Sequence, residues 1–180
     1  MIRVGIITAS DKGSRGERED RSGGLIKEMV EAYGFEVKDY VILPDERDEL
    51  ADKMKEWSDS EFVDLILTTG GTGFAKRDCT PEATLDIIEK NVPGIPEAMR
   101  YYSLQITPRA MLSRSVAGIR KNTLIINLPG SPKAVKENLE SIIGSLEHGI
   151  GILKGSATEC AMPIQVESKK VKVYSNRRKL

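Results

Sequence analysis

The stretch FVDLILTTGGTGFAKRDCTPEAT, residues 62–84, runs from an apolar segment through a glycine-rich turn into the start of a helix. Phe62–Thr69 has almost no polar interruption, the pattern of a strand covered on both faces. Gly70, Gly71 and Gly73 follow at once, and glycine lets a backbone turn with positive φ and lets N–H groups approach a ligand. Pro81 stands where a proline opens a helix, with Thr80 as its expected cap, and that helix is expected to run to about Asn91.

The segments on either side repeat the alternation. Val4–Thr8 is a short apolar run that predicts a strand, followed by a charged Gly/Ser loop to about Arg21. Leu25, Ile26, Met29 and Val30 recur at helical spacing, so Ser22–Tyr33 is expected as a helix ending at Gly34. Val37–Leu43 predicts a second strand, broken at Pro44, and Asp48–Trp57 a second helix. Beyond residue 84, Gly94–Leu104 reads as a helix, Val116–Arg120 and Thr123–Asn127 as paired strands turning at Lys121-Asn122, and Pro132–Glu147 as a long amphipathic helix. Strands alternating with helices over short connections predict an α/β fold: three layers, with a mostly parallel central sheet flanked by helices.

The chain has 180 residues, sufficient for one domain, and residues 1–180 are read as a single unit. Its 27 basic and 27 acidic residues cancel, so no global positive field draws in nucleic acid or anionic lipid. The balance is uneven, however. From about residue 168 the chain carries six basic residues and no acidic one, which reads as a solvated tail with an edge strand at Val171–Tyr174. No apolar run reaches the ~18 residues of a membrane span, and Cys79 and Cys160 form neither a CxxC pair nor a dense disulfide framework. A reducing, cytoplasmic setting is expected.

In an open parallel sheet, ligands bind beyond the carboxyl ends of the strands. Four segments qualify: Ala9–Asp20, Pro44–Arg47, Thr68–Asp78 and Asn127–Lys133. The glycine turn at 70–73 is either a phosphate cradle or a tightly packed turn; it matches neither GxxxxGK[ST] nor GxGxxG. Asp45 and Asp78 follow different strands and suit Mg²⁺, which is held by one or two carboxylates plus substrate phosphates, although each could equally serve as a cap or turn former. Lys133 offers a point charge near a second strand-to-helix turn. His148, the single histidine, is placed at the end of a long helix and reads as a carbonyl cap or solvent-facing residue rather than a base. Cys79 reads as a spectator, and Ser103, Ser113 and Arg114 as loop polarity.

The string TTGGTGFAKRDCTPEAT at 68–84 strongly resembles the pattern of the molybdenum-cofactor biosynthesis family to which molybdopterin adenylyltransferases belong. The resemblance extends to GIITASDKGSRGEREDRSG at 5–23, LPDE at 43–46 and AMLSRSVAGIRKNTLIINLPGSPKA at 110–134, so it covers the chain to about residue 150 and leaves out the tail. It implies transfer of AMP from ATP to the terminal phosphate of molybdopterin with release of pyrophosphate, ahead of molybdate insertion by a partner enzyme. Under it, Asp45 and Asp78 are the essential carboxylates and Mg²⁺ ligands. Gly70, Gly71, Thr72 and Gly73 line the nucleotide, and Ser103, Ser113 and Asn127 the pterin and its phosphate. The kept Arg77-Asp78-Cys79-Thr80-Pro81 implies an active enzyme, the alternative being a non-catalytic pterin-binding or scaffold subunit. A homotrimer or hexamer is the assembly the resemblance implies.

Overall fold

The computed structural model describes residues 1–156. The Val171–Tyr174 strand and the basic tail lie outside the described residues. β1 (Arg3–Ala9) leads through a one-turn helix α1 (Asp11–Ser14) to α2 (Arg21–Ala32), β2 (Glu36–Leu43), α3 (Arg47–Asp59) and β3 (Leu65–Thr69). The chain continues as α4 (Thr80–Ile87), β4 (Lys90–Asn91), α5 (Gly94–Leu104), a 3-10 turn (Pro108–Leu112), β5 (Ala117–Arg120), β6 (Thr123–Leu128) and α6 (Pro132–Leu153).

One sheet carries all six strands in the order β2-β1-β3-β6-β5-β4. The first four are mutually parallel, and β5 and β4 add an antiparallel edge to β6. Alternation along each central strand divides the core into two apolar layers. Val4, Ile6, Leu65, Leu67, Ile126 and Leu128 face α2, α5 and α6, whereas Ile7, Ile66 and Ile125 face α3 and α4. The chain is thus an α/β three-layer domain.

The parallel register aligns the carboxyl ends. Ala9 pairs with Leu43, Thr8 with Thr69, and Thr69 with Leu128. The residues that leave the sheet there are Ser10-Asp11, Pro44-Asp45, Gly70-Gly71 and Pro129-Gly130. The connection after β1 runs outward to β2 and the one after β2 returns past β1 to β3, so a topological switch point lies between β1 and β3, where this class of sheet opens a crevice.

Several expected boundaries shift. β3 begins at Leu65 rather than Phe62: the Phe62 N–H is still tied to the Trp57 carbonyl of α3, and the chain first meets both neighbouring strands at Asp64, whose N–H donates to the Arg3 carbonyl and whose carbonyl accepts from the Leu124 N–H. α4 ends at Ile87 rather than near Asn91: Ile88 becomes extended, Lys90–Asn91 pairs with Ile119 and Gly118, and Pro93 could not continue a helix. Thr80 is the first residue of α4, not its cap; Cys79 stands at the cap position without a capping bond, and the Thr80 hydroxyl donates instead to the Gly70 carbonyl at 2.9 Å. α6 runs on to Leu153, so His148 lies within the helix, exposed, and not at its end.

Candidate active site

The glycine turn after β3 is built for close approach. Gly70 has φ +91° and Gly71 φ +63°, and a Cβ would collide with the Ala9 carbonyl oxygen at the first and with the Thr80 hydroxyl at the second. The turn is held from α4, where the Thr80 N–H donates to the Gly71 carbonyl at 3.1 Å, and from β6's exit, where the Pro129 carbonyl accepts from the Thr69 hydroxyl at 2.6 Å.

Two cavities meet at this turn. The larger, about 550 Å³, lies at the switch point and is lined by Ala9, Asp20, Asp45, Gly70, Gly71 and Asp78 among others. The smaller, about 300 Å³, is lined by Thr72, Gly73, Arg100, Ser103, Arg109 and Ser113 among others. The structure therefore brings Asp45 and Asp78 to one cavity, with Gly70 and Gly71, and divides the glycine turn: Thr72 and Gly73 face the other cavity, beside Ser103 and Ser113. Asn127 reaches neither. It is 0% exposed, donates its amide to the Thr68 and Thr84 hydroxyls at 3.0 and 2.9 Å and accepts from the Val116 N–H, so it braces β3, α4 and the entry to β5. Lys133 is solvent-facing and pairs with Glu137.

Asp45 is locked to Asp11 by reciprocal bonds. The Asp11 N–H donates to the Asp45 carboxylate at 3.0 Å, and the Asp45 N–H donates to the Asp11 carboxylate at 3.1 Å. Arg77 completes the clamp with a forked contact to Asp11 at 2.9 and 3.1 Å and a bond to Glu46 at 2.7 Å. Burial pushes the Asp45 carboxyl above its ordinary pKa, the charges of Asp11 and Asp78 push the same way, and the Asp11 N–H and Arg77 oppose them. Such crowding of negative charge at a partly desolvated carboxylate is relieved by a cation. Among the described residues no group of three or more His, Cys, Asp or Glu stands where it could hold a metal alone.

Asp20 is a wall residue that the sequence did not single out. It caps α2 through the Ser22 and Gly23 N–H groups, both at 3.0 Å, and accepts from the Tyr40 hydroxyl. Its signal was the Asp-Arg-Ser-Gly run at a helix start. Across the glycine turn, the Ser103 hydroxyl is buried without a partner at the wall of the smaller cavity, a polar group suited to a ligand. Burial, followed by the charge of Asp45, raises the Cys79 thiol above its ordinary pKa, which argues against a thiolate nucleophile.

The chain matches a known family. Residues 5–148 match the family described as "Probable molybdopterin binding domain". A molybdopterin adenylyltransferase of Helicobacter pylori is 40% identical over 175 residues, 96% of each chain. One of Haemophilus influenzae is 42% identical over 147 residues, covering 79% of this chain and 73% of the relative. The crystal structure of a molybdopterin biosynthesis enzyme, MoaB from Thermus thermophilus, superposes with a TM-score of 0.82 at 50% identity, over 86% of this chain and 98% of that one. With its fold and nearly its whole described length in common with these proteins, the chain belongs to the molybdenum-cofactor biosynthesis family that this domain defines.

Proposed function

We propose that the chain is a molybdopterin adenylyltransferase acting as one domain with a basic tail, ATP entering the larger cavity and molybdopterin the smaller. The observation that carries this reading is the shared wall: one turn, Gly70–Gly73, presents its first half to a cavity where Asp45 and Asp78 stand with Arg18 and Arg21, and its second half to a cavity lined by Arg100, Arg109, Ser103 and Ser113. A two-substrate transfer needs such a boundary, because the reacting phosphates must meet. The terminal phosphate oxygen of the pterin attacks the α-phosphorus of ATP; the bond from that phosphorus to the oxygen bridging to the β-phosphate breaks, and pyrophosphate leaves with the electron pair. This chemistry asks for alignment and charge stabilisation, not a side-chain nucleophile.

Asp45 and Asp78 would hold Mg²⁺, and the raised pKa of Asp45 among neighbouring carboxylates fits a cation there. When bound, the ion supplies positive charge to the phosphates. Gly70 and Gly71 admit the phosphates closely, Ser103 and Ser113 meet the pterin side, and Asn127 contributes by bracing β3 rather than by contact. Among the described residues no helix is long and apolar enough to cross a membrane, which accords with a cytoplasmic enzyme. We place it as a homotrimer or hexamer that hands adenylylated pterin to a molybdate-inserting partner.

Incubation with molybdopterin, ATP and Mg²⁺, followed by mass analysis, is expected to yield adenylylated pterin and pyrophosphate. Pterin binding without pyrophosphate release would overturn the assignment in favour of a scaffold.

A further inference from the structure

We infer that Arg114 is a positioning residue, a strut across the loop 73–78 that holds the two cavities in a fixed relation. This rests on reading the cavities as the halves of one transferase site. The Arg114 Nε donates to the Gly73 carbonyl at 2.6 Å and Nη2 to the Asp78 carbonyl at 2.9 Å, so one planar guanidinium spans the two ends of the loop. Gly73 belongs to the smaller cavity and Asp78 to the larger. The backbone is tied as well, the Arg114 N–H donating to the Thr72 carbonyl at 3.0 Å, and the preceding residue, Ser113, lines the smaller cavity.

Inside the strut, the loop closes on itself. The Asp78 N–H donates to the Ala75 carbonyl and the Ala75 N–H to the Asp78 carboxylate, both at 3.0 Å, which aims that carboxylate. The third arm of the guanidinium pairs with Glu82 on α4, whose second carboxylate oxygen is buried without a hydrogen-bond partner, so Glu82 fixes the rotation of the guanidinium from a third side. α4 therefore anchors the whole turn: Thr80 holds Gly70 and Gly71, and Glu82, through Arg114, holds Gly73 and Asp78. Lysine could match the charge but not the spacing, because a point charge cannot bond two carbonyls and a carboxylate in one plane.

The full chain and its R114K, R114Q and E82Q variants should be compared by amide hydrogen exchange across residues 73–78 without substrates, and by adenylylation kinetics. R114K and R114Q are expected to speed exchange at Ala75 and Asp78 by about tenfold or more. Both should lower kcat by about tenfold or more, with smaller changes in KM for either substrate. E82Q keeps an acceptor for the guanidinium and should keep most of the protection. Should R114Q fail to fold, R114K decides. Wild-type protection and kcat in R114K would overturn the strut, reducing Arg114 to a counter-charge for Glu82. Faster exchange together with a wild-type chain that makes no adenylylated pterin would support the strut and overturn the transferase reading alone.

Discussion

Asp45 and Asp78 can each be changed to asparagine with little cost to the fold, since the bond each carboxylate accepts, from the Asp11 and Ala75 N–H groups, can pass to an amide oxygen. What asparagine cannot supply is negative charge for a cation. D45N and D78N are each expected to cut turnover by about 10² or more, with unfolding midpoints close to wild type. Full adenylylation by both variants, measured as pyrophosphate release, would remove these carboxylates from the mechanism. Asp64 is the contrasting case, a carboxylate whose business is stability. It is buried, accepts from the Arg3 backbone and guanidinium at 2.8–3.2 Å, and pairs with Lys154, just past the end of α6, at 2.7 Å. Burial alone would raise its pKa, but these bonds more than offset that and leave it well below the ordinary carboxylate range. A depressed folded-state pKa means that the contribution is complete above the unfolded value of ~3.9 and fades as pH falls toward the folded one. Chemical denaturation should show D64A destabilised by about 2–4 kcal/mol at pH 7, with the gap narrowing below about pH 4.

At the scale of elements, the glycine turn and α4 act together, and Gly71→Ala tests their union. A methyl at φ +63° costs about 1–2 kcal/mol in conformation and also meets the Thr80 hydroxyl, with the Asp45 carboxylate 3.2 Å away. The turn must shift, so adenylylation should fall by about tenfold or more. The sheet should persist, because Trp57 of α3 packs against β1 at Gly5 on an unaltered face and reports unfolding through the chain's single tryptophan. Equal loss of fluorescence-monitored stability and activity would instead mark the turn as ordinary packing. Much of this level was legible in advance. Alternating apolar residues and helical spacing disclosed the layers, and Gly70 and Gly71 disclosed a turn that needs positive φ. Less legible were events governed by distant partners. Asp64 sits in an apolar run because Arg3 and Lys154 await its carboxylate, and Ile88 leaves the helix because β5 offers Lys90–Asn91 a ladder. Asn127 shares its position in sequence with strand-end site residues, yet its side chain turns into the core, an orientation that only the register of β6 against β3 decides. Arg114 looked like loop polarity because its acceptors lie more than thirty residues away.

Among the described residues two cavities flank the Gly70–Gly73 turn, and neither Cys79 nor His148 lines either of them. The Cys79 thiol is pushed up in pKa by burial and by the charge of Asp45, and His148 lies on an exposed part of α6. An adenylylated enzyme intermediate would need a side chain to attack the α-phosphorus before the pterin arrives. With the chemistry left to alignment, both substrates must be present together, and AMP must pass directly between them. Labelled pyrophosphate should therefore enter ATP only when molybdopterin is bound, and initial-rate plots should intersect rather than run parallel. A transfer in one step also inverts configuration at the α-phosphorus, which a chirally labelled ATP would reveal in the product. Pyrophosphate exchange without pterin, or net retention, would place a covalent step on the protein. The larger cavity would then have to work alone, and the division of the Gly70–Gly73 turn between two cavities would lose its catalytic meaning.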